Sequence, residues 1–291
     1  MKTILGHAAR LFPPTRRLIE SRDAAIAQRD AAPTETLRRI MRIASPDTYL
    51  HLKLNGYPLW LPRDTIRTMV HCAHWPDDNS LALWVETAHL NWMMERLAAG
   101  SMFLDVGAAT GATTLPVAAR FGAAVRIRAY EPAVAARELL IATLGRNAIE
   151  GVTVRPVAVS DTSGAAVFRE YAQDESGAAP YLPEASSLAA PVMQPAPHRT
   201  YTVPVVTLDE DALPHCEGPV VVKIDVEGFE AQVLAGARRL IEEYRPHLSI
   251  DIHVDPFGDG VTTTEAVVVP LLQGYQFQRF GHVLVCSPQG E

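Results

Sequence analysis

The stretch Phe103-Leu104-Asp105-Val106-Gly107-Ala108-Ala109-Thr110-Gly111 constrains this chain more than any other. An apolar run passes into a turn of small residues, and a helical pattern over residues 113–120 follows, with Pro116 tolerable only in its first turn. Strand, glycine turn and helix in that order present backbone N–H groups, here from Gly107 through Gly111, to a ligand. Twenty positions after Gly111 a second apolar strand ends in Glu131-Pro132. A carboxylate placed there grips the two hydroxyls of a ribose in nucleotide-binding sheets. Asp105 repels a pyrophosphate but suits ammonium and sulfonium charge, which points to S-adenosylmethionine rather than NAD.

Around this unit the periodicity alternates. Strands are expected at 125–130, 152–159, 220–224 and 247–253, with helices at 133–144 and from Phe229 to Tyr244, where Val233, Leu234, Ala237, Leu240 and Ile241 share one face. That alternation predicts an α/β fold, a Rossmann-like and mostly parallel sheet with helices on both faces. Residues 167–170 and 201–206 add short strands, and 274–286 read as a hairpin that closes the sheet with an antiparallel edge. Upstream, 49–54 and 57–61 joined through Asn55-Gly56 read as a hairpin, and 64–99 as mostly helical. We therefore divide the 291 residues into an extension, 1–100, carrying the hairpin and acceptor-side helices, and a cofactor-binding domain, 101–291. Residues 171–199, rich in Pro, Ala and Ser, are expected to form a lid over the acceptor. Trp60, Trp75, Trp84 and Trp92 cluster before the glycine turn, either as core or as the wall of an acceptor pocket.

The second informative stretch is Val220-Val221-Val222-Lys223-Ile224-Asp225-Val226-Glu227-Gly228-Phe229-Glu230. Ligands in open parallel sheets sit beyond the carboxyl ends of strands, so Asp225 is expected to share a crevice with Asp105 and Glu131. Lys223, two residues earlier on the same strand face, is its natural partner. Glu227 and Glu230 fall at a helix start, where carboxylates are favoured; Glu230 reads as a cap and Glu227 also as a candidate catalytic group. Asp251 and His253 share a face of the 247–253 strand, and His253 lies at its carboxyl end. As the side chain best matched in pKa to removing a proton, His253 is the expected base, with Asp225 orienting it or the acceptor. The competing route has Asp225, Asp251 and His253 hold a divalent ion such as magnesium.

Charge and cysteine content narrow the partners. The net charge is −7, yet through Ala44 nine Lys or Arg stand against four Asp or Glu, so a +5 arm precedes a −12 body. Such an arm packs on the domain or another subunit, or docks on an anionic partner; the acidic body argues against nucleic acid. The longest apolar runs fall short of a membrane span and Met1-Lys2-Thr3-Ile4-Leu5 opens no signal peptide, so the cytoplasm is the expected compartment. Cys72, Cys216 and Cys286 lack metal-ligand or disulfide spacing and read as buried thiols.

Three segments resemble the FkbM family of S-adenosylmethionine-dependent methyltransferases: Leu104 to Gly111 with Tyr130-Glu131-Pro132; Ala158-Val159-Ser160-Asp161 with Gly164; and Lys223-Ile224-Asp225-Val226-Glu227-Gly228 with Glu230, Leu234 and Gly236-Ala237. The resemblance covers residues 49–253 and implies a class I methyltransferase fold, seven strands with one antiparallel, and O-methylation of a hydroxyl on a natural product, sugar or glycan. It places Asp105, Gly107 and Gly111 at the methionine half of the cofactor, Glu131 at the ribose and the backbone of Ala158 at the adenine. Ala109 and Thr143 stand where the family commonly has Asn, whereas Asn147 matches. Two other readings remain on sequence grounds, an NAD(P)-dependent oxidoreductase and a non-catalytic scaffold. Ala109 and Thr110 inside the turn speak against the first, the intact acids against the second.

Overall fold

The computed structural model describes residues 43–45, 47–69, 82–171, 188, 198–257 and 262–290. The expected basic arm, Cys72, Trp75 and all of the expected lid except its ends and Leu188 lie outside the described residues. Among the described residues no helix is long and apolar enough to cross a membrane.

The chain opens with the predicted hairpin, β1 (Tyr49–Leu54) antiparallel to β2 (Tyr57–Pro62), with Leu54 opposite Tyr57. Asn55 and Gly56 carry the turn with φ of 48° and 88°, the left-handed pair that a two-residue hairpin requires. Helix α1 (Arg63–Met69) follows. Within the stretch read as helical, Ala82–Leu83 instead form a short strand, β3, parallel to β1, before α2 (Thr87–Met94). The Asn55 side chain makes this pairing, accepting from Val85 N–H and donating to Val85 O, so a turn residue recruits the strand.

The central sheet begins with β4 (Met102–Val106), α3 (Thr114–Phe121), β5 (Arg126–Tyr130), α4 (Val134–Arg146) and β6 (Val152–Arg155). The single strand expected over 152–159 breaks at Pro156, which has no N–H for a ladder. The chain then leaves for a three-stranded sheet of β7 (Ala158–Val159), β8 (Gly164–Tyr171) and β9 (His198–Val206), in order β7-β9-β8. After α5 (Leu208–Asp211) come β10 (Val220–Ile224), α6 (Glu230–Ala235), α7 (Arg238–Tyr244), β11 (His247–Asp251), α8 (Glu265–Val268), β12 (Tyr275–Phe280) and β13 (Val283–Pro288).

The seven-stranded sheet has the order β12-β13-β11-β10-β4-β5-β6, and β13 alone runs against both its neighbours. This is the α/β class and mostly parallel sheet that the sequence predicts. Every residue of β4 and β10 is buried, as strands covered on both faces must be. One apolar cluster joins Leu104, Val222, Leu234 and Ile250 on one face; a second joins Leu54 and Leu59 of the hairpin to Leu115 and Leu140. The hairpin thus shares a core with the sheet. Asn147 ties the two together, accepting from Trp60 N–H at 2.7 Å and donating to Trp60 O at 2.8 Å.

The single helix expected from Phe229 to Tyr244 is two helices. A Cβ on Gly236 would lie 2.1 Å from the Ser160 carbonyl oxygen, and Asp209 caps the second helix through Arg239 N and Leu240 N. Trp92 is core and Trp60 is half exposed; neither they nor Trp84 line the cleft described below. Cys216 and Cys286 are buried free thiols.

Candidate active site

A cleft of about 570 Å³, counting its open mouth, lies at the carboxyl ends of β4, β5 and β10. Of the residues singled out in the sequence, Gly107, Ala109, Glu131, Ala158 and Asp225 line it. Asp105, Ala108, Thr110 and Gly111 do not, and each is buried behind the surface for a distinct reason. Thr114 Oγ donates to Asp105 Oδ2 at 2.6 Å, and Asp105 Oδ1 faces Lys223 Nζ at 3.6 Å. Burial raises the Asp105 carboxyl against those two partners. Thr110 Oγ1 pairs with Thr68 Oγ1, Ala108 joins the cluster of Leu115 and Leu140, and a Cβ on Gly111 would meet Leu140 Cδ1 at 2.6 Å.

Four of the five amides expected to face a ligand are engaged within the protein. Gly107 N–H and Ala108 N–H both donate to Tyr130 O, Ala109 N–H to Glu131 Oε2 and Gly111 N–H to Ala108 O. Gly107 is required by its neighbour: at φ 81° a Cβ there would stand 1.7 Å from the Asp225 carbonyl oxygen. Ala109 holds a left-handed φ of 46°, a conformation in which Asn or Gly is more at ease.

Glu131 joins two elements. Its Oε2 accepts from Ala109 N–H and its Oε1 from Ala133 N–H, both at 2.7 Å, so the turn after β4 and the start of α4 hang on one carboxyl. Burial pushes that carboxyl up to about 7 despite the two amides. Each oxygen keeps a lone pair for a further donor. Opposite stand residues that sequence reasoning missed: Phe168 of β8, Leu188 and Phe229. Phe168 does carry a signal, since it is buried between exposed Val167 and half-buried Arg169. The pairing of β8 with β9 is what carries it to the cleft.

Beyond Asp225 lies a cluster of acids and cations. Lys223 Nζ donates to Asp225 Oδ2 and to Gly107 O, both at 3.0 Å, and these acids hold Lys223 firmly charged despite its burial. His253 Nδ1 sits 2.9 Å from Glu230 Oε1, while its Nε2 faces Glu227 Oε2 at 3.6 Å and Asp225 Oδ1 at 3.8 Å. Burial disfavours the charged ring, but the Glu230 hydrogen bond and the charges of Glu227 and Asp225 win and raise it to about 10. The surrounding carboxylates thus favour the charged ring, which counts against the base role expected of His253. Glu227 is the other candidate base in the cluster. Burial and the nearby acids, partly offset by His253, raise its carboxyl to about 7. Glu230, wholly buried, also accepts from Gly228 N–H at 2.9 Å, so it ties the turn before the helix while holding the histidine.

One oxygen or nitrogen from each of Asp225, Asp251 and His253 lies within 4.8 Å of the others, and the same holds for Glu86, Asp251 and His282. The carboxylates around His253 favour its proton, which a metal held by the first trio would have to displace.

Residues 105–279 match the family model described as the methyltransferase FkbM domain. No curated protein matches the chain. Among solved structures, methyltransferase FkbM from Methylobacillus flagellatus KT is similar at 17% identity and a TM-score of 0.41, over 69% of this chain and 51% of that one. This chain thus spans about half the length of that protein. An rRNA methylase from Streptococcus thermophilus aligns at 12% identity and TM-score 0.39, over 69% of this chain and 93% of its own. The Pyrococcus abyssi tRNA (uracil-54, C5)-methyltransferase, in complex with S-adenosyl-L-homocysteine, aligns at 11% and 0.39, over 82% of this chain and 43% of its own.

Proposed function

The chain belongs to the FkbM methyltransferase family, and on that premise we propose that it is an S-adenosylmethionine-dependent O-methyltransferase acting on a hydroxyl of a small natural product, sugar or glycan. The observation that carries the reading is the cleft itself, with Glu131 at one end and Asp225 at the other. S-adenosylmethionine, when bound, supplies an electrophilic methyl group on a sulfonium. The free lone pairs of Glu131 would accept the ribose hydroxyls, and Ala158 with Phe168 and Leu188 would hold the adenine. Asp225 would serve the methionine half. Asp105, Ala108, Thr110 and Gly111 act from behind, fixing the turn and holding Lys223. Residues 1–100 serve as the acceptor-side extension of the 101–291 domain.

An alcohol must lose its proton as it is methylated, and the transfer rewards alignment above all. Glu227, with a carboxyl near 7, takes that proton; His253, fixed by Glu230, donates a hydrogen bond that orients the acceptor oxygen. Asp225 keeps its place through Lys223. The reading needs no metal, since Lys223 and His253 already set cations among the acids.

Thermal unfolding with S-adenosylmethionine, S-adenosylhomocysteine, NAD and NADP, each with and without magnesium, tests it. The adenosyl-sulfur compounds alone are expected to raise the midpoint, equally with and without the ion. A shift with NAD alone would overturn the reading.

A further inference from the structure

Resting on that reading, we propose that the acceptor is a neutral or cationic hydroxylated molecule with an apolar ring face, and that the site rejects phosphorylated, sulfated or carboxylated acceptors. Acids outnumber cations around the Asp225 end of the cleft. Asp225 lines it, Glu227 approaches the same His253 Nε2 that faces Asp225, and Asp251 and Glu86 are close enough to feel those charges. Lys223 is bound to Asp225 and Gly107, His253 to Glu230, His89 to Glu86, and His282 lies 3.4 Å from Asp251. No Lys or Arg lines the cleft among the described residues. Buried Asp251 Oδ1 has no hydrogen-bond partner, so the pocket already holds more acceptors than donors. An incoming carboxylate or phosphate finds no Lys or Arg in the cleft, and at the one cation near it, His253 Nε2, it meets the like charge of Asp225 and Glu227 at short range.

The apolar face has its own counterpart. Phe257, 63% exposed, meets Phe229 edge to face at 5.3 Å, and Val254 beside it is 47% exposed. Phe229 lines the cleft, so this apolar ledge continues from the site toward solvent. A ring laid on Phe257 covers surface that otherwise faces water, while its hydroxyl reaches Glu227.

Tyramine, tyrosol and 4-hydroxyphenylacetate share one hydroxyphenyl ring and carry a cation, no charge and an anion. Their binding to the protein saturated with S-adenosylhomocysteine, measured by calorimetry, is the test. The anion is expected to bind about tenfold more weakly than tyrosol, with the gap narrowing between about 20 mM and about 500 mM KCl as salt screens the acids. Phe257→Ala is expected to weaken tyrosol about fivefold and to leave S-adenosylhomocysteine binding unchanged. Equal or tighter binding of the anion would overturn the proposal, as would failure of all three to bind a protein that does bind S-adenosylhomocysteine, or an unaffected Phe257→Ala. Failure to bind S-adenosylhomocysteine would instead remove the cofactor reading, and this inference with it.

Discussion

The two ends of the cleft are built on opposite principles. At the Glu131 end the polar groups are answered by backbone: both carboxyl oxygens hold amides, and the amides of the glycine turn are answered by carbonyls and by Glu131. At the Asp225 end side chains answer side chains, Lys223 holding Asp225 and His253 standing among Asp225, Glu227 and Glu230. Backbone partners fix a geometry, whereas clustered side chains hold charge in tension. The first arrangement suits a ligand that is always the same; the second suits the making and breaking of an O–H bond.

The sharpest way to separate the ends is Glu227→Gln. Turnover is expected to fall about 100- to 10,000-fold with S-adenosylhomocysteine affinity unchanged by calorimetry; an equal loss of both would place Glu227 at the wrong end. Gly107→Ala attacks the junction itself, because the new Cβ would collide with the Asp225 carbonyl. Urea unfolding should show a loss of about 4 kcal/mol, and a loss below about 1 kcal/mol would mean that the two strand ends separate easily. Glu131→Ala should weaken S-adenosylhomocysteine about 10- to 100-fold through the lost charge-assisted bonds. Unchanged affinity would take Glu131 out of the cofactor site.

Acidity gives a subtler contrast. The raised His253 contributes stability that is complete below about 6.5, its unfolded value, and is lost as pH rises through about 10. The difference in unfolding free energy between the wild type and His253→Asn should therefore shrink across that window. Glu131 and Glu227, raised from 4.5 to about 7, act in the same sense over a lower window: the folded state holds protons the unfolded chain has released, so their contribution declines between those values. Turnover should rise through about 7 as Glu227 ionises and fall near 10 as His253 loses its proton; a profile flat across both would refute the assignment of roles. The smallest effect is at Ala109, where Gly relieves the left-handed strain but loosens the unfolded chain. A net gain of about 0.5 kcal/mol is expected in the same urea titration.

The difference between the ends also explains what could be read in advance. Strand, turn and second strand announce themselves locally, so the placement of Gly107 and Glu131 followed from spacing and periodicity. Asp225 and His253 were legible as strand ends. The protonation of His253 was not, because it depends on Glu230, which local pattern marks only as a helix cap. Phe168 and Leu188 reach the cleft through the pairing of β8 with β9 and a long connection, and no short window of sequence records such a crossing. The break at Gly236 is likewise imposed from outside the helix, by the carbonyl of Ser160.

Asn147 carries a consequence for how copies of this protein meet. Strand β2 is the rim of the hairpin sheet, and such a rim ordinarily invites another chain to add a strand. The amide of Asn147 imitates one residue of that missing strand, taking up both polar groups of the Trp60 backbone. Any strand added at Trp60 would first have to unseat an asparagine that is also bonded to Thr143 O.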